Sequence, residues 1–220
     1  MALFEKITDA IWDEILSGRI NVGEKLKDTE WAERTGASRT PVREALRELV
    51  RDGVLVPRKL GGFTLRQITP EEVEALYHYR AALEGAALKD SSSRASSVNI
   101  AELEHNISAA RNALMSRDYE AVLVKNSEFH GQLLSSCRNQ FLNTALKSAS
   151  RMVLFARRSV LLRTSLARAG EYEASLNADL DDHATILDLL KESKIDSAAS
   201  ALENHIRRTG QDMAEMLSST

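Results

Sequence analysis

The stretch that decides the fold is Thr29–Leu55, TEWAERTGASRTPVREALRELVRDGVL. Trp31 and Ala32, then Val42, Ala45, Leu46, Leu49 and Val50, recur at helical spacing on either side of Gly36–Ala37–Ser38. This predicts a helix from about Asp28 or Thr29 to Gly36, a tight turn, and a second helix from about Ser38 that Gly53 closes. Pro41 is tolerated because the first turn of a helix has no intrahelical N–H bond to lose. Arg39, Arg43, Arg47 and Arg51 stand four apart on that second helix and form one cationic strip opposite its apolar face. Glu44, Glu48 and Asp52 sit one position round, so the strip is narrow.

Upstream, Leu3, Ile7, Ala10, Ile11, Ile15 and Leu16 make a first helix that ends at Gly18. Downstream, VLVPRK and FTLRQI flank a glycine turn and predict two short β-strands. Helix, turn, helix and wing form a winged helix-turn-helix, whose second helix enters the major groove of double-stranded DNA. Guanidinium forks suit guanine O6/N7 or phosphate oxygens, and Ser38 and Thr40 can meet phosphates beside the free N–H groups of the helix start. The charges taken alone fit a solvated helix better. Only with the turn and the wing do the placed arginines favour DNA.

The chain has 220 residues and a net charge of -3, so its total charge says nothing about nucleic acid. Residues 1–68 hold 12 Lys+Arg against 11 Asp+Glu, whereas Ser38–Lys59 alone holds six against three, a local basic patch. Aromatic residues are 5%, with three prolines and ten glycines, which favours a helical protein. No run of about 18 apolar residues occurs and the N-terminal segment carries acids, so neither a membrane span nor a signal peptide is expected and the cytoplasm is the expected location. The single cysteine, Cys137, cannot form an internal disulfide and reads as a buried thiol.

Thr69, Pro70 and Glu72 mark a new helix start with a capping box, which predicts a DNA-binding domain over 1–68 and an all-helical domain over 69–220. Helices are expected at roughly 70–89, 99–116, 118–136, 140–166, 171–192 and 195–217, with serine-rich DSSSRASSVN as a loop. Asn126 and His130 stand four apart on one of these helices, while His183 and His205 lie on two later ones. Three helices converging on a centre could offer these groups to a divalent transition metal. One histidine per helix is more often a surface or core side chain than a ligand.

Gly23–Leu55 and the glycines of GGF closely resemble the N-terminal domain of GntR-type bacterial regulators. The family pattern PGxxL…LAxxxGVSRTPVREAL is matched over about residues 5–67, except that Val22 replaces the proline and Trp31 the leucine. The resemblance implies that Arg39, Thr40 and Arg43 touch DNA, that Ser38 and Arg47 support them, and that Lys59 and Gly61 act in the wing.

Residues 70–216 resemble, more loosely, the FCD type of ligand-binding domain that follows the winged helix in the FadR subgroup. YHYRAALEGAAL, NSEFH, HATIL and ENHI fall in the expected order, which implies Asn126, His130, His183 and His205 as ligands of Zn, Ni or Mn. Asn126 stands where the family usually has aspartate, so the donor set brings no negative charge. Open coordination positions could take the carboxylate of a small organic acid effector, with Arg80 as its partner and Arg151 a weaker second; an ordinary salt bridge explains Arg80 equally well.

The resulting expectation is a metabolite-responsive regulator, a repressor in preference to an activator, that binds a pseudo-palindromic operator as a homodimer. Within regulators the alternative is a metal-free domain that binds an acyl-CoA. A helical metalloenzyme is the rival of another class, and the absence of an HExxH pattern speaks against it.

Overall fold

A computed structural model describes residues 2–92, 99–164 and 169–218. The chain folds into two compact units, Met1–Ile68 with Arg151–Leu162, and Thr69–Ser150 with Arg163–Thr220.

The first unit runs α1 (Leu3–Leu16), β1 (Lys25–Leu26), α2 (Asp28–Thr35), α3 (Arg39–Arg51), β2 (Leu55–Pro57) and β3 (Phe63–Leu65). Helix α3 buries Val42, Ala45, Leu46 and Leu49 completely, and α1 meets it with Ile7, Ile11 and Ile15. Gly36 stops α2 in the left-handed conformation at φ 63°, where a side chain would be strained, and so allows the short turn into α3. The wing is a three-stranded antiparallel sheet in the order β1-β3-β2, with Lys25 opposite Thr64 and Val56 opposite Thr64 on the other side. The sequence predicts only two strands. β1 has two residues, too few to show a period, yet it packs so closely that a Cβ on Gly62 would stand 2.8 Å from the Leu26 carbonyl oxygen.

The second unit is built from α4 (Pro70–Ser92), α5 (Ile100–Met115), α6 (Tyr119–Leu133), the ends of α7 (Gln140–Thr164), α8 (Ala169–Lys191) and α9 (Ile195–Ser218). The predicted capping box forms: Thr69 N–H donates to Glu72 at 3.0 Å and Glu72 N–H to the Thr69 hydroxyl at 3.2 Å. Helix α4 extends further than expected, since Asp90–Ser92 continue it, and the Ser91 hydroxyl donates to the Ala87 carbonyl at 2.8 Å. The other residues expected in that loop, 93–98, lie outside the described ones. Helix α9 packs on α4 and α8, and α5 on α6 and α8. Helices α4 and α9 approach closely because glycines face them: a Cβ on Gly210 would collide with the Cβ of Tyr77, and one on Gly85 with the Glu203 carboxylate. No helix among the described residues is long and apolar enough to cross a membrane.

Candidate metal centre and nucleic-acid interface

On α3, Arg39, Arg43 and Arg47 are all exposed on the face opposite the buried apolar one, and Ser38, Thr40, Lys59 and Gly61 are exposed as well. Ser38 is the N-cap residue, and its side chain makes no cap hydrogen bond. Sequence reasoning missed Asp28, at the start of α2, which lies 3.0 Å from Arg39 Nη2 and 3.5 Å from Arg43 Nε. Nothing in the spacing marks it, because it meets α3 only across the turn.

In the helical unit, Asn126, His130, His183 and His205 are 1–4% exposed. Four-residue spacing puts Asn126 and His130 on the inner face of α6, His183 faces inward from α8, and His205 from α9. One nitrogen of each imidazole lies within 4.8 Å of one nitrogen of each of the others. His183 Nε2 and His205 Nε2 are 3.2 Å apart, and the Phe129 ring stacks on His183 with centroids 3.9 Å apart. His130 Nε2 and the Asn126 amide nitrogen are buried without a hydrogen-bond partner. A buried polar atom left so is costly. Turning the Asn126 amide over would exchange that nitrogen for its oxygen, a candidate ligand atom one helical turn from His130. Three converging imidazole nitrogens are a donor set that a divalent transition metal fits.

The outer nitrogens are held by acids the sequence did not single out. His130 Nδ1 lies 2.6 Å from Glu84 Oε2, and His205 Nδ1 lies 3.2 Å from Asp182 Oδ2. Burial would by itself raise the Glu84 pKa, but the Arg80 guanidinium and His130 hold it well below the usual carboxylate range, so the group is anionic. Burial, with Arg80 nearby, pushes His130 down to about 4, which keeps it neutral at neutral pH. The hydrogen bond with His205 lowers Asp182, and Arg208 adds to this against partial burial.

Arg80 faces this cluster: it is 5% exposed, sits 2.5 Å from Glu84 Oε1 and over the Tyr77 ring, and leaves Nη1 without a partner. Arg151, expected near an effector, lies in a different compact unit from the histidines. It belongs to the first unit, where its Nη1 lies 3.2 Å from Asp52 and 3.6 Å from Glu48. Its apolar neighbours Val153 and Phe155 are buried, while the Arg151 side chain is 39% exposed and reaches those acids. His78 and His105 are exposed, and Cys137 is buried.

Both units match families of known proteins. Residues 3–65 match the description "Bacterial regulatory proteins, gntR family", and residues 75–208 match the FCD domain. The chain is 28% identical over 201 residues to the Nta operon transcriptional regulator of Aminobacter aminovorans, covering 89% of this chain and 87% of that one. It is 27% identical to a probable D-xylose utilization operon transcriptional repressor of Paenarthrobacter nicotinovorans, covering 91% and 84%. E. coli McbR/YncC has the same fold, with a TM-score of 0.76 at 20% identity over 100% of this chain and 99% of that one. The chain belongs to the GntR family of bacterial regulatory proteins: it is a DNA-binding transcriptional regulator whose helical half is an FCD domain.

Proposed function

We propose that this regulator is an effector-responsive repressor of the FadR subgroup, acting in the cytoplasm as a homodimer on a pseudo-palindromic operator. Arg39, Thr40 and Arg43 contact the major groove, Ser38 and Arg47 support them on phosphates, and Lys59 and Gly61 follow the backbone from the wing. Exposure of all seven side chains or backbones on one unit supports this reading. In the helical half, His130, His183, His205 and Asn126 hold Zn, Ni or Mn, and a small carboxylate effector binds between that ion and Arg80. The observation that carries this part is the set of buried, unpartnered polar atoms: His130 Nε2, the Asn126 amide, Arg80 Nη1 and the Tyr77 hydroxyl. An ion there supplies a Lewis-acidic anchor for a carboxylate, and Arg80 supplies the matching positive charge. A ligand that binds the two DNA-competence states unequally shifts operator affinity by that difference.

The test begins with selecting duplexes from fragments of the source genome. Arg43→Ala should then lose about 1–3 kcal/mol on the selected duplex and relax its sequence preference, whereas Lys59→Ala should weaken all duplexes alike and flatten the salt dependence. The zinc-loaded complex is next challenged with small mono- and dicarboxylic acids, of which at least one should release DNA, and chelation should abolish that response. Arg43→Ala binding as wild type would end the DNA assignment. Equal responses with and without metal would end the effector one.

A further inference from the structure

Two of the three clustered imidazoles share one arrangement. Arg80 Nε lies 2.5 Å from Glu84 Oε1, and the other oxygen of that carboxylate lies 2.6 Å from His130 Nδ1. Arg208 Nη2 lies 2.9 Å from Asp182 Oδ2, which in turn lies 3.2 Å from His205 Nδ1. Arginine, carboxylate and imidazole thus stand in series twice, once from α4 to α6 and once from α9 through α8 back to α9. A carboxylate clamped by an arginine can only accept, so the imidazole nitrogen facing it carries the proton. Nε2 then keeps its lone pair. On His130 that nitrogen is buried without a partner, and on His205 it faces His183 Nε2 at 3.2 Å, a contact in which His183 can donate.

We propose that Glu84 and Asp182 are positioning residues, which lock His130 and His205 as Nδ1–H tautomers and aim both Nε2 lone pairs into the centre before any ion arrives. This rests on the metal reading given above. The donor set of three imidazoles and one amide carries no charge, and each carboxylate is paired with an arginine, so what Glu84 and Asp182 contribute is the fixed orientation and raised basicity of the rings they hold. The two differ in surroundings. The Glu84 side chain is 5% exposed and has one arginine, whereas that of Asp182 is 39% exposed and Arg208 also pairs with Asp179 at 2.8 Å and Asp212 at 2.7 Å. Glu84 therefore weighs more on affinity, and Asp182 is the position where a substitution leaves the fold least disturbed.

The experiment combines 15N-histidine spectra of the chelator-treated full chain with competition titrations of Zn2+. Wild type should show His130 and His205 protonated on Nδ1 without metal. Asp182→Ala should bind Zn2+ about 10-fold more weakly and Glu84→Gln up to about 100-fold more weakly. In metal-free Asp182→Ala, His205 should lose its fixed Nδ1–H signature while His130 keeps it, a selective change that general loosening of the bundle would not give. Should Glu84→Gln fail to fold, Asp182→Ala decides alone. Nε2–H on His130 or His205 in metal-free wild type overturns the proposal, as does unchanged Zn2+ affinity in the variants. A wild type that binds no Zn2+ removes the metal reading itself and this proposal with it; the metal-free spectra distinguish that outcome from failure of the tautomer lock.

Discussion

At the scale of the residue, the histidine cluster is a place where burial and charge act in opposite directions on neighbouring groups. His130 is pushed down to about 4 from 6.5, chiefly by burial, so the fold favours its neutral form. A group whose folded pKa lies below its unfolded one stabilises fully above the unfolded value and loses that contribution as pH falls toward the folded value. The window for His130 is thus about pH 6.5 down to about 4. Glu84, also depressed, adds a second loss below its ordinary 4.5. Chelator-treated wild type should therefore melt at progressively lower temperature through this window. His130→Gln, which cannot titrate, should give a flatter curve between pH 6.5 and 4; equal slopes for the two proteins would refute the assignment. The histidines and Asn126 were legible in the sequence from spacing and resemblance. Glu84 and Asp182 were not, because a carboxylate on a helix has the same spacing signal whether it faces water or an imidazole.

Among the elements, signals that repeat over several turns were legible and signals that arise only on packing were not. Helix α3 announces both its faces, and the Thr69–Glu72 capping box marks the start of α4. β1 is recognised only through its partner β3, and nothing in the apolar neighbours of Arg151 shows that α7 turns its head group to Asp52. Glycine spacing likewise hides which positions matter. A Cβ on Gly210 would overlap the Cβ of Tyr77, part of the rigid base of that side chain, so α4 and α9 would have to separate. Gly210→Ala should cost about 1–3 kcal/mol or more by overpacking. Gly131, exposed on α6, has no heavy atom within 4 Å of such a Cβ. Gly131→Ala should instead stabilise by about 0.5–1 kcal/mol, because alanine has less unfolded-state freedom to lose. Chemical denaturation of both variants tests the pair, and a shift of the same sign in both would contradict the packing described for α4 and α9.

For the whole molecule, each chain carries one α3, which on the proposed reading would meet one half-site. Two half-sites about one helical turn apart are read by a two-fold dimer. Light scattering at micromolar concentration should accordingly give twice 24.4 kDa. A monomer both alone and on DNA would contradict the proposed operator geometry.

If the helical half is a metal-anchored sensor, as proposed, metal content per chain will report it. Wild type reconstituted with Zn, Ni or Mn and then desalted should carry one ion per chain by elemental analysis, and its melting temperature should rise with free metal because the ion binds only the assembled bundle. His183→Ala should purify folded but metal-depleted and melt with chelator-treated wild type, since the Asn126 amide is a poor substitute for the lost imidazole. Asn126→Asp should hold the ion more tightly, because a carboxylate adds charge at the same reach. Wild type without Zn, Ni or Mn after reconstitution, or His183→Ala with a full ion per chain, would contradict the metal-anchored sensor and leave the three imidazoles as packing residues.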